Sequence, residues 1–194
     1  ATALMLVEKL PDWGLEITKD VATCLMTGIL TDTLGFKTNS TSPKALRAAA
    51  DLMEMGVDLV QVYDQALTMR TLSEIRYWGQ GLTKLEFCNG VLSSTLTLND
   101  RIVASYPDND DADLINTLTT VSDALVSVLF VEQKNGSVKV SWRSVKGIDV
   151  AELANKFGGG GHVSAAGADI PGKLEDVRAA VLEETNNTVL KYKA

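Results

Sequence analysis

A helical pattern and a strand pattern in the second half of the chain are separated by Gly158-Gly159-Gly160-Gly161-His162-Val163-Ser164-Ala165-Ala166-Gly167. Glycine has no Cβ and tolerates positive φ, so consecutive glycines can turn several backbone N–H groups toward one bound anion. His162, the only histidine of the sequence, adds a donor that can carry charge near neutral pH. The stretch therefore predicts a phosphate or nucleotide site. A structural alternative stays open, in which Gly158 caps a helix and His162 is an ordinary loop residue.

The residues on both sides of this stretch have clear local signatures. Asp149 followed by Glu152 is a capping pair, which predicts that a helix begins there and ends near Phe157. On the other side, Ala165–Ile170 has the character of a strand, and a terminal helix is predicted from Leu174 to about Leu190. The glycine run is thus expected to be a loop that is anchored on a rigid helix.

Strand patterns precede that helix. Alternation over 91–98 predicts a half-buried strand, and 124–131 predicts a buried one. Asn135-Gly136 is a strong hairpin signal, and on the return strand Val138, Val140 and Trp142 alternate with Lys139, Ser141 and Arg143. The Arg143 side chain should therefore point away from the apolar face of the strand. From the pattern alone it is either a solvated strand residue or a residue that binds phosphate. Its planar guanidinium suits phosphate binding better than a lysine would.

The first part of the chain has helical patterns instead. Ser42 with Pro43 marks a helix start, after which Leu46, Ala49, Ala50 and Met53 recur at helical spacing. A further helix is predicted over about 72–85. We predict an α/β protein with a domain boundary near Lys84, so that residues 1–84 are mainly helical and residues 85–194 form a mixed β-sheet flanked by helices.

Composition excludes several classes of protein. The 194 residues carry a formal net charge of −7, which argues against a protein that coats duplex DNA, because such binding needs many cationic side chains. The apolar runs are far shorter than a membrane span, so we expect no membrane insertion. Cys24 and Cys88 lie far apart without metal-ligand spacing. We therefore expect a reducing, cytoplasmic location.

Two acidic segments are candidate ligand sites. Asp32 comes at the end of a long apolar stretch, and from the residues alone it is either a turn or cap aspartate or a metal ligand. The cluster 108–113 lacks the glycine and the closing glutamate of an EF-hand loop. We expect it to cap a helix at 114–118 rather than to bind calcium.

These motifs occur in an order that resembles a known family. Val140-Ser141-Trp142-Arg143-Ser144, the capped helix that ends at Phe157 and the stretch 158–167 resemble the DHHA1 domain of the DHH phosphoesterase superfamily. The earlier stretch 27–36, followed by the helix over 43–56, resembles the last motif of the DHH domain and its linker. The resemblance covers nearly the whole chain and points to the bifunctional oligoribonuclease and 3'-phosphoadenosine-5'-phosphate phosphatase (nanoRNase) branch. It implies a helical remnant of a DHH domain followed by a DHHA1 domain.

The resemblance also implies roles for particular residues. Asp32 would be a ligand of a manganese pair, or of Mg²⁺, in the intact protein, while Arg143, Gly159, Gly160, Gly161 and His162 would bind the phosphate and nucleotide of the substrate. The implied reaction is two-metal hydrolysis of short single-stranded RNA or of a nucleotide phosphate. A homodimer is a further expectation.

The chain departs from this family in one important respect. It contains no Asp-His-His triplet and no second histidine, and no Asp-x-Asp precedes Asp32. Because one aspartate cannot hold two ions, we expect a fragment, beginning abruptly at Ala1, that has no complete catalytic set, retains no metal and is inactive alone. Two alternatives stay open: a natural nucleotide-binding module without catalytic power, and a structural or oligomerisation domain whose glycines serve close packing.

Overall fold

The computed structural model describes residues 2–38, 40–145 and 147–193 and divides into two compact units after Arg70. Ala1, where the chain was expected to begin abruptly, lies outside the described residues. The division comes earlier than the boundary expected near Lys84, because the helix Leu72–Leu82 packs with the second unit through Tyr77, which is fully buried there. The predicted mixed α/β class is confirmed.

The first unit is helical. Its elements are α1 (Thr2–Asp12), α2 (Lys19–Thr33), α3 (Pro43–Glu54), α4 (Leu59–Tyr63) and a π-helical turn (Asp64–Thr68). The predicted start of α3 is confirmed, since the Ser42 hydroxyl accepts a hydrogen bond from the Ala45 amide at 3.1 Å. Of the four residues whose spacing predicted this helix only Ala49 is buried, because the helix turns its alanine face and Leu52 toward α2.

The second unit contains the sheet. Its elements are α5 (Leu72–Leu82), β1 (Glu86–Cys88), β2 (Val91–Leu96), α6 (Leu98–Ala104), α7 (Leu114–Leu118), β3 (Val126–Glu132), β4 (Ser137–Ser144), α8 (Val150–Asn155), β5 (Gly160–His162), β6 (Ala165–Pro171) and α9 (Leu174–Lys193). The strand order is β1-β2-β3-β4-β6-β5, in which β2 and β3 are parallel and the other neighbours antiparallel.

Each face of this sheet has its own apolar core. On one face α8 and α9 pack on Val140 and the fully buried Trp142, whose indole N–H donates to the Thr185 hydroxyl at 3.2 Å. The core on the other face includes α5 and α7, and Tyr77 stacks on Tyr106 there with ring centroids 4.7 Å apart. The strand predicted as half-buried, β2, is instead buried on both faces, because it lies between β1 and β3 with helices on both sides.

Other local predictions are confirmed with small shifts. The Asn135-Gly136 signal does mark the β3–β4 hairpin, where the Gln133 amide donates to the Ser137 carbonyl at 2.9 Å. The predicted strand and terminal helix after the glycine run correspond to β6 and α9. In the part of the chain that the structure describes, no helix combines the length and apolar character that a membrane span requires.

Candidate functional site

The glycine run is an edge strand rather than a free loop. Asp149 begins α8 as predicted, its carboxylate accepting hydrogen bonds from the amides of Ala151 and Glu152. At the other end of α8, Gly158 has φ 75° and donates to the Asn155 carbonyl, and the Gly159 amide donates to the Ala154 carbonyl. Both amides are therefore used by the helix terminus, and the prediction that the whole run forms an open nest of donors is wrong for these two.

Close packing explains why two positions of the run are glycine. A Cβ on Gly159 would lie 2.2 Å from the Gly167 carbonyl oxygen, and a Cβ on Gly161 would lie 2.5 Å from the Ala165 carbonyl oxygen. Any larger residue at these positions would overlap β6. Gly160 differs, because its Cβ would meet nothing closer than the Asn155 side chain at 3.5 Å. At Gly160 the missing side chain leaves accessible space beside the strand.

Strand register brings the predicted site residues onto one face of the sheet. Arg143 pairs with Ala165, and Ala165 pairs with His162, so the three occupy one row across β4, β6 and β5. Directly paired residues point to the same face, and two strand spacings separate the Cα atoms of Arg143 and His162 by about 10 Å. The next row on this face consists of Ser141, Gly167 and Gly160. A cationic side chain and an imidazole thus lie at the two ends of one row, with Ala165 between them, and the neighbouring row forms a strip that is floored by glycine.

Arg143 is half-buried in this arrangement. Its guanidinium donates to the Trp142 carbonyl at 3.0 Å, which uses one of its five donors. Burial lowers the pKa of Arg143, while the nearby carboxylates of Asp111 and Asp113 act in the opposite direction. The group stays charged at neutral pH, since arginine loses its proton only far above neutral pH.

Asp111, which the sequence did not single out, is a buried carboxylate beside these cations. It is 7% exposed, its Oδ1 lies 3.9 Å from the Lys139 ammonium, and its Oδ2 has no hydrogen-bond partner within the described ranges. Burial raises the pKa of Asp111, although Lys139 opposes this effect. On the predicted strand, Lys139 and Arg143 both alternate with the apolar residues. This alternation was the available signal that both side chains lie on the same face.

The acidic cluster does not cap α7 as predicted. Asp113 occupies the N-cap position with φ 63°, and its side chain makes no capping hydrogen bond. Asp110 instead folds back, accepting hydrogen bonds from the Ala112 amide and from the Tyr106 hydroxyl. The cluster therefore shapes the turn before α7, and it places Asp111 against β4.

Asp32, the predicted metal ligand, lies in the first unit. It is exposed in the last turn of α2, where it lines a hollow of 410 Å³ with residues that include Ala3, Gly28 and Thr31. Within residues 2–38, 40–145 and 147–193, no three His, Cys, Asp or Glu side chains are grouped so that they could hold a metal ion. The described residues thus do not fit a two-metal centre.

Comparison with known proteins identifies the family. Residues 99–189 match the DHHA1 domain, which confirms the resemblance inferred from Arg143 and the glycine run. The chain therefore contains a DHHA1 domain over these residues.

Particular relatives define the similarity further. The chain is 39% identical over 184 residues to the bifunctional oligoribonuclease and PAP phosphatase NrnA of Thermus thermophilus, covering 94% of this chain and 55% of that protein. It is 32% identical over 200 residues to the A-adding tRNA nucleotidyltransferase of Aquifex aeolicus, covering all of this chain and 23% of that protein. A crystal structure of an exopolyphosphatase-related protein from Bacteroides fragilis superposes with a TM-score of 0.86 at 25% identity, covering 100% of this chain and 57% of the other. The chain thus spans about half the length of the NrnA relative.

Proposed function

We propose that the glycine-floored strip beside Arg143 binds the phosphate of a nucleotide or short oligoribonucleotide, as the nucleotide-binding part of a metal-dependent phosphoesterase. The observation that carries this proposal is the shared sheet face of Arg143 and His162, with Gly160 and Gly167 in the adjacent row of the same face. A guanidinium and an imidazole can both donate to phosphate oxygens, and glycine lets the ligand approach the backbone closely. The names of the NrnA relatives, which describe oligoribonuclease and PAP phosphatase activities, support the same substrate class.

Hydrolysis, in this proposal, requires a group of metal ligands that is not found among residues 2–38, 40–145 and 147–193. Asp32 would contribute one carboxylate to a site for Mn²⁺ or Mg²⁺, and the remaining ligands would come from residues outside this sequence. By itself this chain would bind nucleotides without cleaving them. A cytoplasmic location and a homodimer stay predictions.

Binding is tested by isothermal titration of the chain with 3'-phosphoadenosine 5'-phosphate and with a short oligoadenylate. Arg143→Gln should weaken both affinities by about tenfold or more, since a hydrogen bond to a charged group contributes roughly 1.5–3 kcal/mol. The matched control is Arg178→Gln, which removes a guanidinium that pairs with Glu86 on the surface. Equal losses in the two variants, or no binding by the wild type, would contradict the proposal.

A binding module that was never catalytic is the alternative to this proposal. Both the proposal and the alternative are tested by measuring mononucleotide release from a short RNA in the presence of Mn²⁺. We expect no turnover by this chain under conditions where it binds RNA. Robust turnover would overturn the assignment of metal ligands to residues outside the sequence and would exclude the non-catalytic alternative.

A further inference from the structure

A second hollow lies next to the Arg143 strip. It has a volume of 430 Å³, within the range of roughly 300–1,000 Å³ that is typical of small-ligand pockets. Its lining includes Gln133, Lys139, Gly159, Gly167 and Asp169. We refer to this set as the Asp169 hollow.

Register places the Asp169 hollow on the same face as Arg143. Asp169 pairs with Lys139, Gly167 pairs with Ser141, and both rows follow the Arg143 row at steps of two residues along β4. At about 3.4 Å per residue, the Gly167 row lies about 7 Å from the Arg143 row and the Asp169 row about 14 Å from it. The hollow therefore begins about 7 Å from the Arg143 row, at Gly167, and extends to the Asp169 row about 14 Å away.

The charges of the hollow do not favour a second phosphate. Lys139 is the cation of the lining, but its ammonium lies 3.9 Å from the carboxylate of the buried Asp111. Asp169, directly across from Lys139 in the sheet and exposed, adds a further carboxylate. A dianion would have to compete with both carboxylates, so an uncharged polar group is the better occupant.

The hydrogen-bonding groups suit a flat heterocycle. A carboxylate accepts from ring or exocyclic N–H groups, while an ammonium and an amide N–H₂ donate to ring nitrogens and carbonyl oxygens. The Gln133 amide is held in place, because its Nε2 donates to the Val131 carbonyl at 3.1 Å. Gly159 and Gly167 line the hollow with backbone alone, so neither of them adds a side chain that a planar ring would meet.

We propose that the Asp169 hollow is the nucleobase subsite of the nucleotide site, with Asp169 accepting from the base and Lys139 donating to it. This inference rests on the proposed function, because it needs a phosphate at Arg143 to fix the sugar. It makes the site selective for nucleotides over other phosphate esters, and it assigns the selectivity to Asp169.

The test compares ribose 5-phosphate with the four ribonucleoside 5'-monophosphates by isothermal titration. Wild-type protein should bind at least one nucleotide about tenfold more tightly than ribose 5-phosphate, which corresponds to one or two base hydrogen bonds. Asp169→Asn should reduce this ratio to within threefold or change the order of preference among the bases, because an amide replaces one acceptor oxygen by a donor. The affinity for ribose 5-phosphate should stay unchanged.

Asp123→Asn, an exposed substitution in the loop before β3, is the matched control and should leave every affinity unchanged. Circular dichroism verifies that Asp169→Asn is folded, which its exposed position favours. Equal wild-type affinities for ribose 5-phosphate and all four nucleotides would overturn the subsite while leaving the phosphate site standing. An Asp169→Asn variant with wild-type ratios and order would overturn it as well. Absence of binding to any of the five ligands would overturn both proposals.

Discussion

Alanine substitutions at two adjacent glycines separate a structural role from a binding role. In Gly159→Ala the new methyl group would lie 2.2 Å from the Gly167 carbonyl oxygen and 2.6 Å from the Ala168 Cβ. These contacts are too short to survive, and the partner atoms belong to the central part of β6, which cannot move without disturbing β4. Overpacking of this kind costs about 1–3 kcal/mol, or roughly 2–12 °C in Tm for a chain of this size.

Gly160→Ala is the matched comparison. Its methyl group would meet only the Asn155 side chain at 3.5 Å, and Gly160 does not have a positive φ, so urea unfolding should show a change within about 0.5 kcal/mol. The same methyl group would stand on the floor of the proposed site and should weaken nucleotide binding by about tenfold. Urea unfolding and nucleotide titration of both variants provide the data. Wild-type stability of Gly159→Ala would refute the packing argument. Wild-type nucleotide affinity of Gly160→Ala would refute the claim that Gly160 forms part of the floor of the binding site.

Three further predictions concern stability. Asp100→Asn should lower the free energy of unfolding by about 1–2 kcal/mol at pH 7. Burial acts to raise the pKa of Asp100, but hydrogen bonds from Lys84 and Thr97 to its carboxylate outweigh this effect and lower the pKa. Since a lowered pKa stabilises the fold above the ordinary value near 4, the difference from wild type in urea unfolding should begin to shrink below pH 4 and should continue to shrink as the pH falls through the lowered pKa. Thr185→Val should cost about 1–3 kcal/mol in thermal unfolding by leaving the Trp142 indole N–H unpaired, whereas Thr185→Ser should retain most of the stability. Burial raises the pKa of Asp111, so the free energy of unfolding should fall as the pH rises above the ordinary pKa of an aspartate. Asp111→Asn should reduce this pH dependence when urea unfolding is compared at pH 5 and pH 8. An unchanged pH dependence would contradict this account.

Local signals predicted the elements of this fold well. Ser42 and Asp149 have side-chain oxygens that can cap a helix, and both accept hydrogen bonds from the first turns of the helices that follow them. Asn135-Gly136 supplies a residue that tolerates the φ of 80° at Gly136, so the hairpin could be located from sequence alone. Such signals depend on a few neighbouring residues, and they can therefore be recognised in the sequence without knowledge of the tertiary structure.

Properties set by distant contacts could not be predicted in the same way. The close packing at Gly159 and Gly161 depends on carbonyl groups of β6, so the glycine run resembled a phosphate loop more strongly than its structure warrants. The role of Asp111 depends on where the turn before α7 meets Lys139, far along the chain. Arg143 and His162 were predicted to bind the same ligand, but only the β4–β6–β5 register shows how they are arranged.

The most direct test of the central claim is an amide-resolved NMR titration of the chain with adenosine 5'-monophosphate. If phosphate binds beside Arg143, the backbone signals of Gly160, Gly161 and His162 and the Arg143 side-chain signal should shift together and saturate with one dissociation constant. Signals that stay unchanged up to millimolar nucleotide, or shifts confined to residues of the first unit, would contradict the claim.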